Sequence, residues 1–181
     1  MRSFSLLAAA VAALALPACD SESPTEPDPL AQLRDATRQF QQVSAATAAG
    51  YAPAGPCVAT PAGGMGFHYT RQAAVDGTVK LDEPEVLLYA PGSNGALELV
   101  GVEYLVPSGA WDAANSAPPS VLGQPFDDHR AEAARHGMPF PHYDLHVWIW
   151  KENPSGRHAP FNPSVSCPAA APPGSGAQHA H

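Results

Sequence analysis

Leu30, Leu33, Thr37, Phe40, Val43 and Thr47 recur at spacings of three and four, which places them along one side of a helix from Leu30 to Ala49. Asp28 suits the N-cap, Pro29 fits the first helical position, and Gly50 supplies a stop. The stripe is narrow and rich in small residues, so this helix is expected to pack on one side of something larger. After Pro56 the period shortens towards that of strands. Met65 to Thr70 is short and aromatic, and Val75 to Leu81 contains Asp76-Gly77, a hairpin-type turn. Glu85 to Ala90 and Ala96 to Val106 flank Pro91-Gly92-Ser93-Asn94-Gly95, the strongest hairpin signal in the chain. Pro118 to Pro125 reads as loop, and Asp127 to His136 as a short helix ended by Gly137. His142 to Lys151 is apolar on both faces and is expected to be a central strand. Asn153-Pro154-Ser155-Gly156 then turns the chain into an irregular return to Cys167. With 21 prolines and 15 glycines, long regular elements have little room. The expected fold is α+β: an antiparallel sheet, one N-terminal helix packed against it, and long Pro/Gly-rich loops.

The first eighteen residues have a different texture. Arg2 precedes an uninterrupted apolar and small-residue run from Phe4 to Leu16, then Pro17-Ala18, the layout of a secretory signal peptide. That run is shorter than the roughly 20 apolar residues a bilayer-spanning helix needs, and no later stretch approaches this length. Leu16-Pro17-Ala18-Cys19 resembles a bacterial lipobox, with Cys19 as the lipidated terminus. The alternative is cleavage to a soluble secreted or periplasmic protein. Residues 19–29 hold the attachment cysteine and an acidic tether, because Asp20 to Asp28 carries four acids, two prolines and no large apolar side chain. Residues 30–167 form a single globular domain. Residues 168–181, made of Pro, Ala, Gly and Ser with a terminal His-Ala-His, read as a disordered tail.

Three cysteines are present, and giving Cys19 to lipid leaves Cys57 and Cys167 to pair in an oxidising compartment. Such a disulfide would tie the start of the domain to its end. Loss of Arg2 with the signal leaves eight basic residues against seventeen acidic ones, a net charge of −9. That surface repels phosphate backbones, which excludes nucleic acid as a natural partner. It also gives no help on anionic lipid, so membrane attachment rests on the lipid at Cys19.

Several long words in the chain point to a family. Gly50-Tyr51 before a cysteine, GMGFHY at Gly64 to Tyr69, PEVLLY at Pro84 to Tyr89 and LVGVEY at Leu99 to Tyr104 are four of them. LHVWIWKENPSG at Leu145 to Gly156 and APFNPSVSC at Ala159 to Cys167 complete the set. Together they resemble a family of uncharacterised exported bacterial proteins and lipoproteins. The resemblance implies one family domain behind an export signal and carries no mechanism.

Candidate chemistry centres on one carboxylate and three histidines. Glu103 alternates with Leu97, Leu99, Gly101 and Leu105, and the opposite parity holds Val100, Val102 and Tyr104, so it is expected to be buried. A buried carboxylate must be paired, hydrogen-bonded or bound to metal. His142, Asp144, His146, Trp148 and Trp150 share one face of the central strand if it is regular. His68 lies between Phe67 and Tyr69 after Gly63, Gly64 and Gly66, whose missing side chains permit close approach of a ligand or another strand. His68, Glu103 and His146, with His142 or Glu85 as additions, form a candidate set for Zn, Cu, Fe or Mn. The competing reading is a metal-free extracytoplasmic binding or scaffold domain, in which the same groups form a buried polar network that fixes strand register. Trp111, Trp148 and Trp150 read as core or as a cleft lining. No nucleophile elbow, phosphate-cradling loop, CxxC or c-type haem motif is present.

Overall fold

A computed structural model describes residues 28–132 and 138–168. The stretch expected to be a signal peptide, Cys19, nearly all of the expected acidic tether and the tail beyond Pro168 lie outside these described residues. Asp28 caps the first helix, α1 (Pro29–Thr37), its carboxylate accepting from Leu30 N at 3.0 Å. The single helix expected to Ala49 does not persist. A 3₁₀ turn at Arg38–Gln41 and an extended Gln42 separate α1 from α2 (Val43–Ala48). Tertiary contacts explain the break. The Phe40 carbonyl accepts from the Tyr89 hydroxyl at 2.6 Å, and the Thr37 hydroxyl donates to Leu33 O while accepting from Trp150 Nε1. Both bonds draw on helix groups to dock the segment on the sheet.

The strands are β1 (Ala52–Pro53), β2 (Val58–Thr60), β3 (Gly63–Thr70), β4 (Val86–Pro91) and β5 (Leu97–Pro107). After α3 (Ser108–Asp112) come β6 (Ser120–Val121), β7 (Gln124–Pro125), β8 (Asp127–Asp128) and β9 (His142–Val147). The main sheet is antiparallel, in the order β1-β3-β4-β5-β9-β8 with β2 also on β3, and β6-β7 form a small hairpin apart. One face buries Leu87, Tyr89, Val102, Tyr104, Leu145 and Val147 against Leu33, Phe40 and Ala46 of the helical segment. The other carries a smaller apolar group of Val86, Leu88, Val100, Leu105, Trp148 and Val165, and beside it the polar side chains considered below.

A bulge between Leu88 and Tyr89 on β4 inserts Val100 into β5, so Leu99 joins the larger core and Val100 the smaller one. Simple alternation along β5 had placed Leu99 with Glu103. β9 also stops four residues before the expected Lys151, because Trp150 N and Lys151 N both turn to the bulged Val100 carbonyl. Val75 to Leu81 is not a hairpin. The Asp76 carboxylate accepts from both Thr78 N and Thr78 Oγ1, which closes a local Asx-type turn without strands. The expected helix at Asp127–His136 is also corrected where it is described: Asp127 and Asp128 pair with Asp144 and Tyr143 as β8, while residues 133–137 lie outside the described residues.

Cys57 and Cys167 form a disulfide across 110 residues. Just before it, Asn162 makes two backbone hydrogen bonds with Gly64, at 3.0 and 3.1 Å. A Cβ on Gly63 would lie 2.4 Å from Asn162 O, so the glycines ahead of His68 serve the approach of another chain segment. Among the described residues, no helix is long and apolar enough to cross a membrane.

Candidate metal centre

Three strands converge on one point of the second face. In the β5–β9 register Glu103 lies directly opposite His146, and in the β3–β4 register His68 lies opposite Leu88. His68 therefore reaches across β4 to meet Glu103. Its Nε2 is 3.4 Å from Glu103 Oε2, and His146 Nε2 is 3.9 Å from the same oxygen. One donor atom from each of the three residues lies within 4.8 Å of the other two. The imidazole planes stand nearly perpendicular, at 88° with centroids 6.3 Å apart. Donors bound at about 2 Å to one tetrahedral ion lie roughly 3.3 Å from each other, close to this spacing.

The hydrogen-bond accounting is unusual for a buried cluster. His146 is 3% exposed and Glu103 7% exposed. Neither ring nitrogen of His146, nor Glu103 Oε2, has a hydrogen-bond partner among the described residues. Buried polar atoms normally find one, and leaving each unmade costs about 1–3 kcal/mol. Of these, His146 Nε2 and Glu103 Oε2 lie 3.9 Å apart, and His68 Nε2 is 3.4 Å from the same oxygen.

Burial also sets the protonation. It pushes His68 down to about 4, with His146 adding to the shift, and it lowers His146 as well. Burial raises Glu103 well above the carboxylate range, reinforced by Asp144 and Glu85. The 3.4 Å separation of His68 and Glu103 is within ion-pair reach. Desolvation nevertheless favours the neutral form of both, and we take the pair as neutral because such burial penalises each charge separately. Neutral imidazole is the ligand form of histidine, and a dication would supply the charge that lets Glu103 ionise.

The remaining candidates are placed elsewhere. His142 lies on the same face of β9 but outside the group of three. Its Nδ1 is 3.0 Å from Phe140 O and its Nε2 is 3.7 Å from Asp144 Oδ2. Glu85 has a different job: its carboxylate accepts from Leu105 N at 3.0 Å, just before β4 begins, where β5 runs past the β4 pairing. The Trp148 indole donates to Ala159 O and the Trp150 indole to Thr37, which makes both part of the packing. His158 reaches the His146 carbonyl through Nδ1 at 3.3 Å and so braces the strand backbone. His179 and His181 lie outside the described residues.

Asp127 and His129 are not marked out by the sequence, because the stretch Asp127–His136 fits a short helix as well as a strand. They are two residues apart in a polar run after Phe126, a spacing that in a strand puts both on one face. No protein family, curated protein or solved structure matches this chain.

Proposed function

We propose that this domain is a divalent-metal-binding module working outside the cytoplasm, with one ion held by His68, Glu103 and His146. The observation that carries the reading is that His146 Nε2 and Glu103 Oε2, both buried and unpartnered among the described residues, share one point with His68 Nε2. Two imidazoles and one carboxylate suit Zn, Mn, Fe or Cu. Three protein donors leave coordination positions for water or a ligand, which is the arrangement of sites that do chemistry. If the site is catalytic, an ion held by His68, Glu103 and His146 would supply an activated water. A metal-free network would hold strand register through hydrogen bonds, and the unpartnered atoms weigh against it.

The extracytoplasmic setting rests on the signal-like first eighteen residues and on the Cys57–Cys167 disulfide, which persists where thiols are oxidised. The lipobox-like Leu16 to Cys19 adds an anchor, so the domain would sit at a bacterial membrane surface on a short acidic tether. Palmitate labelling lost in Cys19→Ala tests that anchor. The metal site is tested by elemental analysis of zinc-loaded wild type, Glu103→Gln and His146→Ala. Each variant is expected to lose one equivalent while keeping its disulfide and its circular dichroism. Unchanged zinc content in both folded variants would remove the proposal.

A further inference from the structure

Beside this centre the same face carries a second polar group, and we infer that it is a separate divalent-cation site, formed by Asp127, His129 and Asp144 with His142 as a neighbouring donor. One ligand atom from each of Asp127, His129 and Asp144 lies within 4.8 Å of the others. Asp127 is directly opposite Asp144 in the β8–β9 register. Two carboxylates facing each other across antiparallel strands repel unless a cation lies between them.

The imidazoles point the same way. His129 Nε2 is 3.4 Å from Asp144 Oδ1 and His142 Nε2 is 3.7 Å from Asp144 Oδ2, so each carboxylate oxygen faces a ring nitrogen. Charge-assisted hydrogen bonds between such groups run at about 2.7–2.9 Å. These distances are too long for that and fit atoms arranged around an ion.

His142 completes the surroundings of Asp144. It is 1% exposed, and Nδ1 lies 3.0 Å from the Phe140 carbonyl, which can only accept. Nδ1 therefore carries the hydrogen. Its Nε2 faces Asp144 Oδ2 at 3.7 Å, so His142 lies beside the three donors and orients the Asp144 carboxylate.

The two sites differ in character. Asp144 and His146 are two residues apart on one strand, so the groups are neighbours. The first is buried and holds two nitrogens and one oxygen. The second lies at the sheet edge, with Asp127 exposed, and is richer in carboxylate, which favours a harder, exchangeable divalent ion such as Mn²⁺, with Zn²⁺ serving as a probe.

The test is Zn²⁺ stoichiometry by equilibrium dialysis on the purified protein. A His179→Ala/His181→Ala background removes the tail imidazoles from the count. Two equivalents are expected in that parent, one in His129→Ala, one in Asp127→Asn, one in Glu103→Gln and none in His129→Ala/Glu103→Gln. His129 and Asp127 lie at or beside the edge strand, and unchanged circular dichroism confirms that their variants fold. A single equivalent that survives both His129→Ala and Asp127→Asn overturns the second site and leaves the first standing. A single equivalent lost in His129→Ala but kept in Glu103→Gln does the reverse.

Discussion

A neutral imidazole with two idle nitrogens and a carboxylic acid with an idle oxygen make an expensive interior for a protein that gains nothing from them. This predicts a specific trade at Glu103. Replacement by Met, similar in size and apolar, removes a buried polar group that lacks a partner. The metal-free protein should become more stable by about 1–2 kcal/mol, read by urea denaturation, while zinc binding at the buried site is lost. Destabilisation of the metal-free protein by a similar amount would instead support a structural network. Glu85 illustrates the opposite case, a buried acid with a defined structural bond. Burial raises it to about 7 against the hydrogen bond from Leu105 N, with Asp76 adding to the rise and Arg71 opposing it. Its folded pKa exceeds the unfolded value, so the native state binds the extra proton between about 4.5 and 7, and stability falls as pH rises through that window. The full shift corresponds to about 3 kcal/mol. Glu103, raised for the same reason, adds a decline of the same sign. Glu85→Gln keeps an acceptor for Leu105 and should flatten the wild-type decline between pH 5 and 8 by up to that amount, measured from denaturation midpoints. Glu103 and His146 were legible as residues because a lone polar group in an apolar strand must be buried. Asp127 and His129 were not, since nothing in an exposed polar run distinguishes a helix from an edge strand.

Strand pairing is what turns these isolated residues into a site. β5 and β9 bring Glu103 and His146 opposite each other, and His68 arrives only because β3 pairs with β4 in the register that places it against Leu88. Gly66 protects that register. It has φ +92°, and a Cβ there would lie 2.3 Å from Tyr89 O on β4. Gly66→Ala should therefore destabilise the fold by about 2–3 kcal/mol and weaken zinc binding by moving His68, the first by urea denaturation and the second by competition with a chelator dye. A wild-type midpoint and affinity would contradict this account of β3. At this scale the hairpin of β4 and β5 was readable from its turn, and the glycines before His68 from their density. The broken helix was not, because the bonds that break it come from Tyr89 and Trp150, far along the chain. Asp76-Gly77 misled for a related reason: the Asp side chain closes its own turn on Thr78.

Across the whole molecule, the C-terminal return is held twice on β2 and β3, covalently through Cys57–Cys167 and by the Asn162–Gly64 backbone pair. Closing a loop of this length contributes about 4–5 kcal/mol in the chain-entropy model, an upper figure since native strain and residual structure reduce it. Cys57→Ala/Cys167→Ala should lose several kcal/mol of that order yet retain metal binding where still folded, because neither cysteine touches the metal-site residues. Loss of zinc from the folded variant would mean that the return segment shapes the site directly. The α+β class and the disulfide were legible from pattern and cysteine count, whereas the partition of polar groups into two neighbouring clusters depended on a bulge and an edge strand.

The central claim is that His68, Glu103 and His146 share one ion. Crystals of the zinc-loaded protein, recorded at the zinc absorption edge, test it most directly. The account predicts an anomalous peak about 2.0–2.2 Å from a nitrogen of His68, a nitrogen of His146 and an oxygen of Glu103. Density in which these three groups hydrogen-bond to each other or to water, with no such peak between them, would contradict it.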